Sequence, residues 1–239
     1  MIRFYSPEIE DTLTLPEGES SHCCRVLRKQ IDDEIEVVDG KGHIFTCRII
    51  DNNPRQTKLE IIKGETEIPE SIKNGITIAI APTKSFERME WLVEKGIEIG
   101  VDRIVFLRCS RSERKDINLE RIKKVAVAAM KQSLKSKLPD LKQYTDFKSF
   151  LREEKEYDQK FMGYCSEKIP RQDFSKIYDP SMETLILIGP EGDFTEDEVK
   201  NAIDSGFIPV TFGKSRLRTE TAGIYAITAV NVLKNQLIS

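Results

Sequence analysis

The sequence is poor in the residues that build metal and disulfide sites. It has only two histidines, His22 and His43, which leaves little for histidine-rich metal chemistry. The five cysteines, 23, 24, 47, 109 and 165, are odd in number and contain no Cys-x-x-Cys pair. They read as reduced thiols rather than as a disulfide frame or a zinc site, so no metal is expected. Long apolar runs are also missing. The longest, Ile76–Pro82 and Leu185–Ile188, are strand-sized, far below the roughly 20 residues of a membrane span. The opening Met1-Ile2-Arg3-Phe4-Tyr5 has no apolar signal segment, so the expectation is a cytoplasmic protein without membrane contact. There is no low-complexity tract, and 39% hydrophobic with 32% charged residues excludes a disordered or collagen-like chain.

At 239 residues, and with a typical domain of roughly 150, the chain holds one to two domains. The formal charge is −3, from 37 Lys+Arg and 40 Asp+Glu. That average hides an asymmetry. Residues 1–70 hold 9 basic and 15 acidic side chains, while residues 103–142 hold 12 basic and 4 acidic. A basic stretch of that kind can bind a polyanion whatever the total charge. A solvated helix face plus a loop is the plainer reading of a charge run alone. The near-single sign favours nucleic acid, because ordinary exposed helices mix signs in i,i+4 pairs.

The N-terminal stretch reads as a small β-rich unit. Ser21 is placed to cap a short helix over 22–28. Glu34–Val38, His43–Ile50 and Lys58–Ile62 are strand-like, with Asp39-Gly40 as a hairpin signal between the first two. Short strands with one short helix suggest a compact barrel. The polar stretch Gly64–Asn74 with Pro69 marks a boundary. From Gly75 the rhythm becomes strand–helix alternation. Ile76–Ala81 is a buried-type strand. Phe86, Met89, Val93 and Ile97 form one helical stripe that Gly100 ends. Arg103–Leu107, Gln159–Gly163 and Thr184–Ile188 are further strands, and Ile122, Val125, Ala126, Ala129 and Met130 another stripe. The alternation predicts a parallel sheet covered by helices, with ligands at the carboxyl ends of its strands.

Two loops after strands carry chemistry. Gly189-Pro190-Glu191-Gly192-Asp193-Phe194-Thr195 follows the strand Thr184–Ile188. Gly192 can take positive φ, Thr195 and Glu198 fit a capping box, and Gly206 stops the helix that follows. A tight turn explains Thr195 and Glu198 but not two glycines around Pro-Glu. The spacing matches neither a dinucleotide fingerprint nor a phosphate-cradling loop. The second loop, 212–222, follows the strand Phe207–Phe212 and contains Arg218-Thr219-Glu220-Thr221. Thr219 or Thr221 can cap the next helix, on which Ala222, Ala226 and Ala229 share a face. Arg218 and Glu220 are either an ion pair at a helix start or a charged pair held beside a ligand.

The segments Leu187-Ile188-Gly189-Pro190-Glu191-Gly192 and Arg216-Leu217-Arg218-Thr219-Glu220-Thr221-Ala222-Gly223 resemble the two hallmark loops of the 16S ribosomal RNA (uracil-N3) methyltransferases of the RsmE type, in the SPOUT class. The resemblance runs the whole chain. Arg3-Phe4-Tyr5, His22, Val26-Leu27-Arg28 and Asp39-Gly40-Lys41-Gly42 match an N-terminal PUA-like domain. Thr83-Lys84, Arg88, Lys95, Glu98, Gly100-Val101, Gln132-Ser133 and Leu138-Pro139 match the methyltransferase domain. Asp193 stands where such proteins often have a second glycine, and Arg216 where they have an apolar residue.

The resemblance implies an α/β fold with a small PUA-like β-barrel over 1–70 and a SPOUT domain over 74–239 with a deep trefoil knot. It implies S-adenosylmethionine as methyl donor, held by Leu187, Gly189, Pro190, Gly192, Phe212, Gly213, Leu217 and Thr219. It implies a homodimer and, as partner, 16S rRNA in the small ribosomal subunit, methylated at N3 of a uridine near the 3′ end. Glu220 would accept the N3 proton and Arg218 would stabilise the uracil anion. Arg3, Arg25, Arg28, Lys84, Arg88 and Arg111 are the candidate RNA contacts. Trp91 is expected in core or interface packing, Glu98 in a structural ion pair, and Cys23-Cys24 as small buried hydrophobes. A non-catalytic RNA-binding factor, or a SPOUT enzyme acting on tRNA or another rRNA site, are the competing readings.

Overall fold

The computed structural model describes residues 2–66, 75–166 and 168–236. The linker read over Gly64–Asn74 lies outside these from residue 67 onward, as does the expected boundary at 70–74. The chain divides into two compact units, Met1–Ile72 with Ala126–Leu138, and Lys73–Val125 with Pro139–Ser239. Residues 126–138, which the sequence places with the second domain, thus cluster with the first.

In the first unit, β1 (Arg3–Tyr5) is followed by two short helices, α1 (Ile9–Thr12) and α2 (Glu17–Ser21), and then by β2 (Glu34–Val38), β3 (His43–Asp51) and β4 (Lys58–Thr66). These strands form a four-stranded sheet in the order β1-β2-β3-β4. β1 runs parallel to β2 and the other pairs are antiparallel. Period-two alternation sends Ile35 and Val37 of β2, and Phe45, Cys47 and Ile49 of β3, into a core with Phe4, Ile9, Leu15, Cys23 and Leu59. The β2–β3 turn is built by Asp39. Its carboxylate accepts the backbone N–H of Lys41 at 2.7 Å and meets His43 Nδ1 at 2.6 Å. Residues 133–138 are stapled to this turn, with Leu138 N donating to Gly40 O at 2.9 Å and Gly42 N to Ser136 O at 3.3 Å. Lys131 reaches the Glu19 carboxylate at 2.6 Å.

The helix expected over 22–28 starts earlier. Pro16 occupies the N-cap position of α2, Ser21 is the last residue of that helix, and no side chain caps it. Residues 22–26 continue as one wider, π-type turn. The reason is electrostatic and local. Glu17 and Glu19 suit the positive end of a helix dipole, so the helix begins at Glu17. Cys23 is buried as expected, whereas Cys24 is half-buried with its thiol 3.3 Å from the Thr57 hydroxyl.

The second unit alternates strands and helices. In chain order they are β5 (Ile76–Ile80), α3 (Phe86–Ile99), β6 (Arg103–Leu107), α4 (Leu119–Gln132, of which residues 126–132 cluster with the first unit), β7 (Asp140–Tyr144), α5 (Phe147–Glu153), β8 (Gln159–Gly163), β9 (Gln172–Asp173), α6 (Phe174–Ile177), β10 (Thr184–Ile188), α7 (Glu196–Asp204), β11 (Ile208–Thr211) and α8 (Thr219–Asn235). The seven strands form one sheet in the order β7-β6-β5-β10-β8-β11-β9. Every pair is parallel. The central strands β5 and β10 are buried at every residue, as strands covered on both faces must be. α8 packs on α3, β5 and β10. Gly223 permits this approach, because a Cβ there would lie 2.7 Å from Leu92.

A charged clamp closes the amino-terminal edge of the sheet. Arg103, the first residue of β6, holds the buried Glu154 carboxylate with both terminal nitrogens, at 2.7 and 2.8 Å. Tyr144 and Tyr157 donate their hydroxyls to the same carboxylate at 2.7 and 3.1 Å. Burial pushes the Glu154 carboxyl up, but the bonds from Tyr144 and Arg103 outweigh it and hold its pKa below the ordinary 4.5. A carboxyl whose pKa falls on folding stabilises the fold above its ordinary pKa, and that contribution is lost as pH falls through the lowered value. Glu154→Ala, which removes two charged bonds to Arg103 but leaves it Asp140 at 2.8 Å and Tyr157 at 2.9 Å, is expected to cost about 2–3 kcal/mol in urea denaturation at pH 7. The difference from wild type should narrow at acid pH; an undiminished gap there would remove the clamp from the stability of this edge.

Candidate active site

The loops after β5, β6, β8, β10 and β11 converge at the carboxyl edge of the sheet. Gly189 leaves β10. A Cβ at this position would sit 2.9 Å from the ring of Phe194, which is buried and packs on Phe147. The loop turns at 190–193 through Asp193 N donating to Pro190 O at 2.9 Å. The positive φ expected at Gly192 falls instead on Asp193, at 59°. Aspartate tolerates this conformation when its side chain bonds locally. Here it accepts the N–H of Phe194 at 2.9 Å and of Cys165, in the loop after β8, at 3.3 Å. Gly192 is small for another reason, since a Cβ would meet Arg111 at 3.2 Å.

The capping box expected at Thr195 and Glu198 is present. Glu198 does more than cap. Its second oxygen accepts Ser110 N at 2.7 Å, which ties the loop after β6 to the start of α7. From the same loop, Arg111 donates to the carbonyls of Gly192 and Phe194 at 2.9 and 3.2 Å. Arg114 donates to the carbonyl of Lys84 at 2.8 Å, and Lys84 N donates to the Glu191 carboxylate at 3.0 Å. Arg111 and Arg114 thus serve backbone carbonyls.

The second loop leaves β11 through Phe212, whose ring packs between Phe174 and Tyr225. Neither Thr219 nor Thr221 caps α8; Arg218 holds that position, without a capping side chain. The Thr219 hydroxyl is used elsewhere. It donates to Gly189 O at 3.1 Å, a buried bond that joins the two loops. Arg218 is exposed and does not pair with Glu220. The partner of Glu220 is Arg88 on α3, with Nη1 3.4 Å from Oε1. Glu220 is 6% exposed, and its other oxygen is buried with no hydrogen-bond partner among the described residues.

Three cavities surround these loops. One of about 670 Å³ is lined by Tyr164, Cys165, Phe212, Gly213, Leu217 and Ala222 among others. It adjoins one of about 320 Å³ between Gly189, Pro190, Leu217, Arg218, Thr219 and Glu220. A third, of about 520 Å³, lies between α3 and the first turn of α8, with Arg88, Trp91 and Glu220 in its walls. Of the expected cofactor residues, Gly189, Pro190, Phe212, Gly213, Leu217 and Thr219 line the first two. Leu187 is fully buried in the core beneath them, and Gly192 backs onto Arg111. Arg25 and Arg28 are exposed in the first unit. Arg3 pairs with Glu36 at 3.1 Å and donates to the carbonyl of Leu134. Lys84 reaches Glu113 at 3.2 Å with both side chains exposed. Glu98 pairs with Lys95 at 2.9 Å, as expected, while Trp91 is 43% exposed, so of its two expected settings, core and interface, it is not in the core.

A small, backbone-walled cleft beside a buried carboxylate suits a planar heterocyclic ligand and a proton transfer. A family model described as an RNA methyltransferase domain matches residues 70–231. The chain belongs to this family of RNA methyltransferases. A second model, described as an RNA methyltransferase PUA domain, matches residues 15–62. The family expected from the two loop motifs is therefore the one found. Relatives of this methyltransferase extend over both units. The Ribosomal RNA small subunit methyltransferase E of Buchnera aphidicola subsp. Acyrthosiphon pisum is 29% identical over 94% of this chain and 92% of its own length. That of Aquifex aeolicus is 29% identical over 97% and 98%. The structure of a probable rRNA-methyltransferase from Porphyromonas gingivalis has a TM-score of 0.92 at 39% identity, covering 99% of this chain and 100% of that one. A Ribosomal RNA small subunit methyltransferase E from Neisseria gonorrhoeae, bound to S-adenosyl methionine, has a TM-score of 0.84 at 29% identity over 98% of each chain.

Neither the bonding of Ser110, Arg111 and Arg114 around Glu198 and its loop nor the part played by Tyr164 and Cys165 shows in the sequence pattern. The place of Tyr164 and Cys165 does show, since their loop follows the strand Gln159–Gly163. The packing at Gly189 is directly testable in this methyltransferase. Gly189→Ala should lower stability by about 1–3 kcal/mol through overpacking against Phe194. Phe194→Leu should recover part of that loss in the double variant. Strictly additive costs in urea denaturation would show that the Phe194 ring is not what keeps the position small.

Proposed function

We propose that this methyltransferase transfers a methyl group from S-adenosylmethionine to N3 of a uridine near the 3′ end of 16S rRNA in the small ribosomal subunit. The observation that carries the reading is the hydrogen bond from Thr219 to Gly189. It joins two backbone-walled loops into one cleft and sets the buried Glu220 at its end. The cleft fits the donor. Ile188, Phe212 and Leu217 offer apolar surface for an adenine, and the glycine-bearing loops offer backbone groups for its polar edge.

When bound, S-adenosylmethionine supplies a sulfonium methyl that bonds to the N3 electron pair and leaves the carbon–sulfur pair on a neutral thioether. The chain's own residues prepare the acceptor. Glu220 takes the N3 proton, directly or through water. Arg88, beside Glu220, and Arg218, at the mouth of the cleft, supply positive charge for the uracil oxygens as that proton leaves. Gly189, Pro190, Phe212, Gly213, Leu217 and Thr219 hold the donor, with Leu187 and Gly192 supporting them from behind. Since N3 lies on the pairing edge, the base must be unpaired when it reacts.

The finer architecture belongs to the same proposal. α8 follows β11 yet returns to pack on β5 and β10, which supports a chain threaded as a deep trefoil knot. The four-stranded sheet is read as part of a PUA-like barrel, with domains over 1–70 and 74–239. The outward face of α8 carries Tyr225 and Val232, 47% and 50% exposed, and is read as a homodimer surface. Ala226, on the alanine face of the same helix, is fully buried within the chain. Arg25, Arg28, Lys84 and the exposed Lys115, Lys124 and Lys137 are the RNA contacts that remain accessible, with Arg3, Arg88 and Arg111 tied to partners of their own. A cytoplasmic location follows from an rRNA substrate.

The deciding experiment supplies labelled S-adenosylmethionine to small subunits that lack the modification, to naked 16S RNA and to tRNA. Label on one uridine of 16S rRNA, located by reverse-transcription arrest, is the expected result. Glu220→Gln should lower transfer by about 10²–10⁴-fold with donor affinity retained. Label confined to tRNA would overturn the substrate, and an Arg218→Ala enzyme of unchanged turnover would remove the role given to Arg218. RNA affinity should fall with a log–log salt slope of about −0.7 for each single-strand phosphate contacted, which a salt titration reads.

A further inference from the structure

We propose that the cleft of about 520 Å³ between α3 and the first turn of α8 is the subsite for the target base, with a uracil stacked on Trp91 and held on its pairing edge by Glu220 and Arg88. The inference rests on the reading above and adds the acceptor's place and the source of base selectivity. Arg88 and Trp91 are three residues apart on α3 and so share one helix face. Glu220 lies in the walls of both this cleft and the Gly189–Leu217 cleft. A base in the first therefore meets the same carboxylate as a donor in the second. The volume is within the range of pockets that take a small ligand.

The groups match uracil. Its pairing edge presents one N–H donor flanked by two carbonyl acceptors. Glu220 is an acceptor and Arg88 a donor, 3.4 Å apart and oriented toward each other from two helices. A carboxylate facing N3–H and a guanidinium facing the adjacent carbonyl satisfy both at once. Cytosine reverses the pattern, because its N3 is an acceptor and would oppose the carboxylate. The second Glu220 oxygen is buried and has no hydrogen-bond partner among the described residues. A buried carboxylate with one weakly engaged and one unengaged oxygen is costly to keep in a resting fold, and a group that brings a donor relieves that cost. Trp91 supplies the remaining feature. It is the single tryptophan of the chain, and at 43% exposure it leaves ring surface at this cleft. Stacking on an aromatic ring is the general way proteins hold an unpaired base.

The test compares wild type, Trp91→Ala, Trp91→Phe and Arg88→Ala on small subunits that lack the methyl group, with S-adenosylmethionine affinity measured by calorimetry. Trp91→Ala should raise KM for the subunit about ten-fold, from the loss of one stacked base. S-adenosylmethionine affinity should not move, and Trp91→Phe should recover most of the loss. Arg88→Ala should lower kcat as well, and subunits carrying cytidine at the target position should lose at least about ten-fold in transfer. Trp91→Ala with an unchanged KM, or with S-adenosylmethionine affinity reduced in proportion, overturns the subsite while the methyltransferase reading stands. A wild-type chain that transfers no methyl group to any RNA overturns that reading and the subsite with it.

Discussion

The carbonyl of Gly189 sits where the two halves of the site meet. It ends a strand buried on both faces, and it accepts the Thr219 hydroxyl at the start of a helix that is thirty residues further along. Between those points the chain makes α7, β11 and an exposed loop, and returns to the middle of the sheet. Everything at the carboxyl edge depends on that return. It brings Leu217, Arg218 and Glu220 beside Gly189 and Pro190, and it places α8 against α3 so that Glu220 meets Arg88.

Parallel strands covered on both faces can carry little polar chemistry of their own, so the two edges of the sheet divide the labour. Polar groups at the amino edge serve stability, with Arg103, Glu154 and two tyrosines satisfying one another. Those at the carboxyl edge are less completely matched. Glu220 has one oxygen with no hydrogen-bond partner among the described residues, and Arg218 caps nothing. The contrast within one sheet is the difference between charges arranged for each other and charges arranged for something else.

Periodicity and turn chemistry made most strands legible from the sequence. β2, β6, β8 and β10 have the bounds that alternation and glycine or proline stops predict. The capping box at Thr195 was legible for the same reason, because both partners lie within one turn. What lay beyond reach was every choice between a local and a distant partner. Thr219 has the right type and place for a helix cap, yet bonds a carbonyl thirty residues away. Glu220 lies two positions from Arg218 in sequence, yet pairs across to Arg88 on α3. The basic run 103–142 reads as single-signed only along the chain. In space Arg121 meets Glu90, Lys131 meets Glu19 and Lys142 meets Glu153, all carboxylates from outside the run. The domain motifs themselves were legible through their resemblance to a known family rather than through composition.

The stapling of residues 133–138 onto the β2–β3 turn has a consequence for how the molecule is made. The first unit needs Lys131 for Glu19 and the 136–138 backbone for Gly40 and Gly42. During synthesis from the N-terminus, its strands can pair as soon as β4 emerges, but these last contacts cannot form until residue 138 has cleared the ribosome. By then β5, β6 and their helix have also been made. The N-terminal unit therefore completes its structure late, in step with the start of the parallel sheet, and an N-terminal fragment cut at residue 72 is born lacking part of its own surface.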